Sequence, residues 1–505
     1  KGGVFVLEKT DLRLSVTKEE YEGRIEGLRD GLFLLQQQIK KLGITVIIVF
    51  EGWGASGKGS TISSVIRSLD PRGFDVYSVS PCNELEKRLP PLYRFWDKIP
   101  EYGNIAIFDR SWYFDISTDL IDSAGEFREK LESYDEINTF EKQLSDDGAL
   151  IIKFFLHIDQ KEQKQRFKKL MEDKSTSWRV TEKDRKHNKE YVRHFEAFDI
   201  MIDRTSTPVS PWHVIPAMDR RYLRIKTLEI ITEKIESHIK MKSQIDENSI
   251  ADDVISIHPR FRIVDRQDLK GMDLTKDVSE EEYQKKLDNY KDRIETLQNM
   301  LYQKKIPVIM VYEGWDAAGK GGSIKRIASA LDPRGYSVAT IAAPNECEGS
   351  HHYLWRFWKR IPKTGHISIY DRSWYGRVMV ERVEGFCSRP EWMRAYQEIN
   401  EFEASLDKWG AVIIKFWLQI DRDEQLRRFN EREDTFSKKY KITDEDWRNR
   451  DKWDEYELAV SDMIRYTSTD FAPWNLIEAN SKRHARIKTM EIFIDKIEER
   501  LKKED

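Results

Sequence analysis

The 505 residues predict an α/β fold carried twice in one chain, and three observations lead there. The sequence repeats itself at a constant offset of 262 residues. Within each copy, apolar β-rich runs alternate with helical segments, the pattern of a parallel sheet covered on both faces. In each copy, too, a glycine-rich loop follows the first such run directly and opens a helix.

The repeat is read from motifs that keep register. Glu51-Gly-Trp-Gly-Ala-Ser-Gly-Lys-Gly59 returns as Glu313-Gly-Trp-Asp-Ala-Ala-Gly-Lys-Gly321. Leu69-Asp-Pro-Arg-Gly73 returns as Leu331 to Gly335, Asp109-Arg-Ser-Trp-Tyr113 as Asp371 to Tyr375, and Arg224-Ile-Lys-Thr227 as Arg486 to Thr489. A period this long makes each copy a domain rather than one unit of a solenoid. The expected division is 1–240, a polar linker 241–275, and 276–505, with Val254–Ile257 and Phe261–Val264 able to pack on a domain.

Each copy starts with a charged amphipathic helix, 18–42 and 280–304. The first strands, Thr45–Phe50 and Val308–Tyr312, enter the loop, and helices 58–69 and 320–331 leave it. Further strands are expected near 74–79, 104–108, 149–158 and 213–217. Their second-copy counterparts fall at 336–341, 366–370, 411–420 and 475–479. In such a sheet, ligands sit beyond the carboxyl ends of the strands. Residues 421–465 read as a charged helical lid over that end.

Composition limits the function classes. With 85 Lys+Arg against 89 Asp+Glu, no global positive field exists to coat a nucleic acid. Aromatics at 11% argue against disorder. The longest apolar stretches, such as Thr45–Phe50 and Ala411–Ile414, fall short of the roughly 18 residues of a membrane span. Three cysteines, Cys82, Cys347 and Cys387, match no zinc spacing and read as free thiols in a reducing cytoplasm. The expected protein is cytoplasmic, without nucleic-acid or membrane partners. The segments 18–42 and 280–304 could pack between domains or between chains, which leaves a homo-oligomer open.

Gly314-x-x-x-x-Gly319-Lys320, a Walker A pattern, is where chemistry concentrates. The backbone of Gly314, Ala317, Ala318, Gly319, Gly321 and Gly322 can wrap an anion, with amides and the helix N-terminus directed at phosphate oxygens. Lys320 would neutralise the phosphate being transferred. The hydroxyl residue usual after the lysine is Gly321 here. Asp316, an acid inside the loop, reads as a magnesium ligand or a base, because a carboxylate beside phosphate is otherwise unfavourable. Asp371 ends a strand and can hold magnesium; Arg372 and Arg377 can fork onto phosphate oxygens. Lys325 and Arg326 follow the loop as a grip for a polyanion, and Arg428 and Arg432 share one face of a lid helix.

These linked motifs, with Arg356-Phe-Trp and Glu381-Arg-Val-Glu-Gly-Phe-Cys387, resemble the type-2 polyphosphate kinase family. The likeness spans 280–495 and, more weakly, 18–233. The tandem form is similar to the class II branch, the polyphosphate:AMP phosphotransferases. The resemblance implies a P-loop kinase fold like thymidylate kinase, a three-layer parallel sheet with a helical lid, and Mg2+ as cofactor. It implies phosphoryl transfer from inorganic polyphosphate to AMP, giving ADP, with Asp316, Lys320, Asp371, Arg372 and Arg432 at functional positions. Alternatives are ADP or another nucleotide as acceptor, or an ATP-dependent small-molecule kinase of the same fold.

The copies are not equivalent. At the positions of Asp316, Lys325, Arg326, Arg377 and Arg432 the first copy has Gly54, Ser63, Ser64, Asp115 and Leu170, while Lys58, Asp109 and Arg110 persist. Losing a single transition-state contact costs about 10²–10³ in rate. The second copy is therefore expected to catalyse and the first to be mainly structural.

Overall fold

The most apolar runs become the central strands. A computed structural model of the chain describes residues 6–114, 127–244, 254–264, 269–434 and 444–503. β1 (Val46–Gly52), β2 (Phe74–Ser78), β3 (Ile105–Asp109), β4 (Leu150–His157) and β5 (Trp212–Pro216) form one parallel sheet in the order β2-β3-β1-β4-β5. β6 (Val308–Gly314), β7 (Tyr336–Thr340), β8 (Ile367–Asp371), β9 (Val412–Gln419) and β10 (Trp474–Glu478) form a second in the matching order β7-β8-β6-β9-β10. The later strands start and stop within one residue of the expected positions. β1 and β6 are buried along almost their whole length, as centre strands covered on both faces must be, whereas β2 and β7 are half exposed edges. The chain thus has the duplicated α/β architecture that the sequence predicts.

By contact, the chain divides into two compact units. One comprises Lys1–Cys82, Arg94–Ser249 and Gly349–His352; the other comprises Asn83–Tyr93, Ile250–Glu348 and Tyr353–Asp505. In the first, the longer helices are α1 (Lys18–Leu42), α2 (Lys58–Ile66), α3 (Phe127–Asp146), α4 (Gln160–Glu172), α5 (Glu182–Lys189), α6 (Tyr191–Thr205) and α7 (Arg220–Gln244). In the second they are α8 (Glu280–Lys304), α9 (Lys320–Ala328), α10 (Arg389–Lys408), α11 (Arg422–Asp434), α12 (Asp444–Asp451), α13 (Trp453–Thr467) and α14 (Lys482–Lys502).

The amphipathic helices α1 and α8 each find their partner inside their own unit. α1 lies along α7 and α8 along α14, with Arg24 paired to Glu229 and Arg293 Nε donating to Glu498 Oε1 at 2.7 Å. Thr17 and Glu20 form a reciprocal capping box at the start of α1, which ends on Gly43 at φ 62°. α8 ends instead on Lys305 at φ 57°, a left-handed conformation imposed on a residue with a Cβ. In the expected linker, Phe261 is buried and Val264 N donates to Ser468 O at 2.7 Å, so 261–264 packs on the second unit.

Two repeated motifs prove to be packing devices. The Asp-Pro-Arg-Gly turns sit on a buried glutamine, with Gln298 Oε1 accepting from Asp332 N at 2.7 Å and Gln36 Oε1 accepting from Asp70 N at 2.7 Å. The Ser-Trp-Tyr that follows Asp371-Arg372 feeds a fully buried ion pair. Lys415 Nζ contacts Glu403 Oε2, Tyr375 Oη and Thr467 O, all at 2.7 Å, while Trp374 Nε1 donates to Glu403 Oε1 at 3.1 Å. Lys153, Glu141, Tyr113 and Trp112 repeat this network in the first unit. Trp112 and Trp374, which share a register position, are buried in the core, as are Trp212 and Trp474.

Candidate active site

β6 sits at the centre of its sheet, between β8 and β9, where the strand order reverses and a crevice opens beyond the strand ends. The chain leaves β6 at Gly314, φ 151°, where an added Cβ would lie 2.6 Å from the Leu418 carbonyl oxygen, so no other residue fits. Ala317 and Gly319 follow with φ of 63° and 108°. Those left-handed turns fold the loop into the N-terminus of α9, the arrangement that presents consecutive backbone amides to an anion. Lys320 Nζ arches back over the loop and donates to the carbonyl oxygens of Gly314 (2.6 Å) and Trp315 (3.2 Å).

Asp316 points into the crevice and is mostly buried. Its Oδ1 accepts from Arg372 at 3.2 Å and its Oδ2 from Asn449 Nδ2 at 3.0 Å. Burial raises the carboxyl, but Lys320, Arg372, the Asn449 amide and Arg432 together outweigh it and hold Asp316 below its ordinary value. Arg372 stands at φ 65° at the end of β8, its N–H on the Tyr312 carbonyl at 3.1 Å, and also approaches Glu445 at 3.9 Å. Asp371, the last residue of β8, pairs in register with Tyr312 on β6 and is partly exposed. Beneath the loop, Ser373 Oγ donates to buried Glu313 Oε1 at 2.8 Å. Burial drives that carboxyl up to about 7, although Ser373 and Lys320 pull the other way.

Several of the expected residues bind protein groups in this structure. Arg428, expected to face phosphate oxygens, is turned inward. Nε donates to Glu424 at 2.5 Å, Nη1 to the Ala317 and Ala318 carbonyls at 2.9 and 3.0 Å, and Nη2 to the Ala479 and Asn480 carbonyls at 2.7 and 2.8 Å. All five of its N–H donors are taken, so it clamps the loop and has none left for a phosphate. Arg377 pairs with Glu381 at 3.1 Å and lies over the Tyr353 ring at 4.5 Å. Arg326 reaches Tyr283 Oη at 3.4 Å, while Lys325 is exposed on α9. Gly321 and Gly322 open the helix; a Cβ on Gly321 would meet open space, and one on Gly322 would lie 3.3 Å from the Arg486 guanidinium.

Beside the loop, Ala317, Ala318, Gly319 and Ser323 line a cavity of about 250 Å³ together with Arg428, Arg432, Lys482 and Arg486 and one acid, Glu431. Lys482 and Arg486 belong to α14 and escaped the sequence reading. The signal was present, because Arg486 opens one of the repeated tetrapeptides. Of the lid, α11, α12 and α13 are described and the residues 435–443 are not. Trp453 of α13 stacks on Trp315 of the loop at 3.7 Å and 5°.

The first unit builds the same loop without the same lining. Gly52, Ala55, Gly57 and Arg110 have φ of 129°, 59°, 109° and 64°. Arg166 repeats the five-donor clamp on Glu162 and on the carbonyls of Ala55, Ser56, Ala217 and Met218. Lys58 again meets the first loop carbonyls, at 2.8 and 3.1 Å. Where Asp316 would project, a Cβ on Gly54 would lie 3.2 Å from Asp184 Oδ1 and 3.2 Å from the Phe167 ring. Helices α5 and α4 thus fill that space. Asp115 lies outside the described residues.

A family profile described as Polyphosphate kinase 2 (PPK2) matches residues 15–243 and again 277–505. A polyphosphate:AMP phosphotransferase of Pseudomonas aeruginosa is 39% identical over 500 residues, 99% of this chain and 100% of that protein. One from Acinetobacter johnsonii is 32% identical, with 97% of each chain covered. A GDP-polyphosphate phosphotransferase of Pseudomonas aeruginosa is 35% identical over 217 residues, 43% of this chain and 61% of that protein. A crystal structure described as a polyphosphate kinase 2 from Pseudomonas aeruginosa PA01 superposes with a TM-score of 0.86 at 36% identity, covering 99% of this chain and 100% of that one.

Proposed function

The chain belongs to the polyphosphate kinase 2 family, matched once in each half, and on that premise we propose that it transfers the terminal phosphoryl group of inorganic polyphosphate to AMP, giving ADP. The observation that carries this reading is the end-to-end likeness to proteins named polyphosphate:AMP phosphotransferase, tandem architecture included. The site supports it. The loop amides and Lys320 form a cradle for a phosphate, and the cavity beside the loop is lined by Arg432, Lys482 and Arg486, which outnumber its one acid, Glu431. At about 250 Å³ it lies below the ~300–1,000 Å³ of pockets that enclose whole small molecules, which suits the end of a polyphosphate chain better than a nucleoside.

Phosphoryl transfer needs positioning and charge neutralisation more than covalent chemistry. Lys320, Arg372 and Arg432 are the cations placed to stabilise charge on the transferring group. AMP needs no strong base, since its phosphate is already anionic. The site also fits Mg2+. Asp316 and Asp371 offer hard oxygen donors at the loop and the neighbouring strand end, and Mg2+ is usually held by one or two carboxylates with substrate phosphates and water completing the shell. Gly321 adds no hydroxyl ligand. When bound, Mg2+ draws charge from the phosphate oxygens. The covering helices α11–α13 exclude water, which suppresses hydrolysis of the donor.

The second unit performs this reaction and the first supports it structurally. Among the described residues no helix is long and apolar enough to cross a membrane, and a count of only three cysteines in 505 residues fits a reducing cytoplasm. The test is ADP formation from AMP and long-chain polyphosphate by the wild type, Lys320→Ala and Lys58→Ala, with ATP as an alternative donor. Lys320→Ala is expected to lose turnover and Lys58→Ala to keep it. Equal losses would refute the assignment to one unit, and turnover with ATP alone would refute the donor.

A further inference from the structure

Asp316 is gripped twice by the helices that cover the loop. Gln425 Nε2, on α11, donates to the Asp316 backbone carbonyl at 3.2 Å, and Gln425 is itself held by Arg450 of α12 at 3.2 Å. The second grip is on the side chain. A carboxylate only accepts, so the Asn449 amide must turn Nδ2 toward Asp316 and Oδ1 away. The Tyr456 hydroxyl lies 3.2 Å from that Oδ1 and 3.3 Å from Glu384 Oε1. Glu384 is nearly fully buried and is anchored by Arg448 and Lys452, each at 3.2 Å. The hydroxyl has one proton for these two acceptors; donated to Asn449 Oδ1, it links Tyr456 through the Asn449 amide to the loop acid.

The first unit separates the two grips. Gln163 donates to the Gly54 carbonyl at 3.2 Å, so the backbone grip is common to both loops. The side-chain grip is not. Where the second unit has Asn449 and Tyr456, the first has His187 and His194, their rings 4.1 Å apart, and position 54 is a glycine with no carboxylate to receive a donor. Holding the loop in place is thus met without Asn449, whose amide serves the carboxylate itself.

We propose that Asn449 is a positioning residue, which fixes the orientation of Asp316 and so ties the packing of α12 and α13 over the loop to the alignment of the loop acid. The groups that face Asp316 are Lys320 from α9, Arg372 from the end of β8, Arg432 from α11, Asn449 from α12 and Tyr456 from α13. Arg372 holds Oδ1 and the Asn449 amide holds Oδ2, so the amide supplies the second of two directional contacts that fix the plane of the carboxylate. This inference rests on the reading of the second unit as the site of polyphosphate-dependent AMP phosphorylation.

Asn449→Leu removes the donor at nearly constant size, and Tyr456→Phe removes only the hydroxyl that orients the amide. For Asn449→Leu, kcat is expected to fall about tenfold to a hundredfold, the range to which a hydrogen bond to a charged group converts. KM for polyphosphate and for AMP should stay near wild type, because the contact is with a protein group rather than the substrate. Tyr456→Phe should move kcat in the same direction by less. The stacked Trp315–Trp453 pair gives a second readout, an exciton couplet in circular dichroism, recorded on the protein alone and expected to persist in both variants. Wild-type turnover in Asn449→Leu overturns the proposal. So does a loss of turnover that comes with loss of the couplet, if Tyr456→Phe keeps the couplet and full kcat. A wild type inert toward polyphosphate and AMP refutes the functional reading and this one with it, whereas an active wild type matched by Asn449→Leu refutes this one alone.

Discussion

Arg428→Ala is the substitution for which the structure sets the firmest magnitude. The guanidinium is 2% exposed and joins three segments, with two carbonyls in the loop, two after β10 and Glu424 on α11. Glu424 keeps Arg427 as a bidentate partner, so the loss falls mainly on the four carbonyls; at about 1 kcal/mol for each hydrogen bond removed, it comes to about 3–5 kcal/mol. At about 2–4 °C per kcal/mol for a unit of this size, the melting transition of the second unit should fall by about 6–20 °C. The loop also loses its clamp, so turnover falls even below that transition. Scanning calorimetry and ADP formation from polyphosphate and AMP measure the two effects. Arg166→Ala is the matched control: the same five hydrogen bonds are lost from the first unit, which should melt earlier while turnover survives. A wild-type melting temperature for Arg428→Ala with turnover abolished would refute the clamp and return the arginine to the substrate. A fully stable Arg428→Lys would show that charge, rather than the fixed fork of five donors, is what the position needs.

Two further outcomes follow from comparing the units. Lys305→Gly should stabilise the second unit by about 0.5–1 kcal/mol in thermal melts, because it removes a Cβ from a left-handed helix end and costs only glycine's extra freedom in the unfolded chain; the first unit already has Gly43 there. No gain would mean that the φ of Lys305 carries no strain. His157→Gln should make the first unit less sensitive to acid. His157 Nδ1 accepts from Trp53 Nε1 at 2.9 Å, and burial, against the pull of Asp159, lowers the imidazole to about 4 from an ordinary 6.5. The folded state thus holds it neutral, and the stability this provides is present above about pH 6.5 and is lost as pH falls toward 4. Glutamine, which the second unit has as Gln419 accepting from Trp315 at 2.9 Å, makes the same bond without titrating. Melting curves for variant and wild type that decline in parallel over that range would remove His157 as the cause.

Much of the fold was legible because it is local. Alternation and apolar runs report burial directly, so the ends of the later strands were found within a residue while β1 and β6 run on to Gly52 and Gly314, and the capping residues at Thr17 and Gly43 fit the helix expected between them. The site was legible where backbone geometry makes it: Gly314 and Gly319 stand where only a glycine-rich turn can pass from strand to helix. It was less legible where long side chains choose between partners. Arg428 and Arg432 lie one turn apart on α11 with the same chemistry and both border the cavity, yet Arg428 spends its donors on carbonyls 110 and 51 positions away. Asn449 carries no motif, and the position gains meaning only because α12 brings its amide to a carboxylate 133 positions earlier.

Duplication, sheet class, the glycine loop between strand and helix and the replacement of acid and cations in the first copy are determined by sequence alone, since each depends on residue type, local periodicity or position in register. Which arginine clamps the carbonyls of the loop, and which acid the Asn449 amide meets, was decided only by tertiary structure. The reason is physical. A guanidinium or an amide takes its role from the acceptors that folding carries within 3 Å of it, and those come from strands and helices that the chain's order keeps far apart.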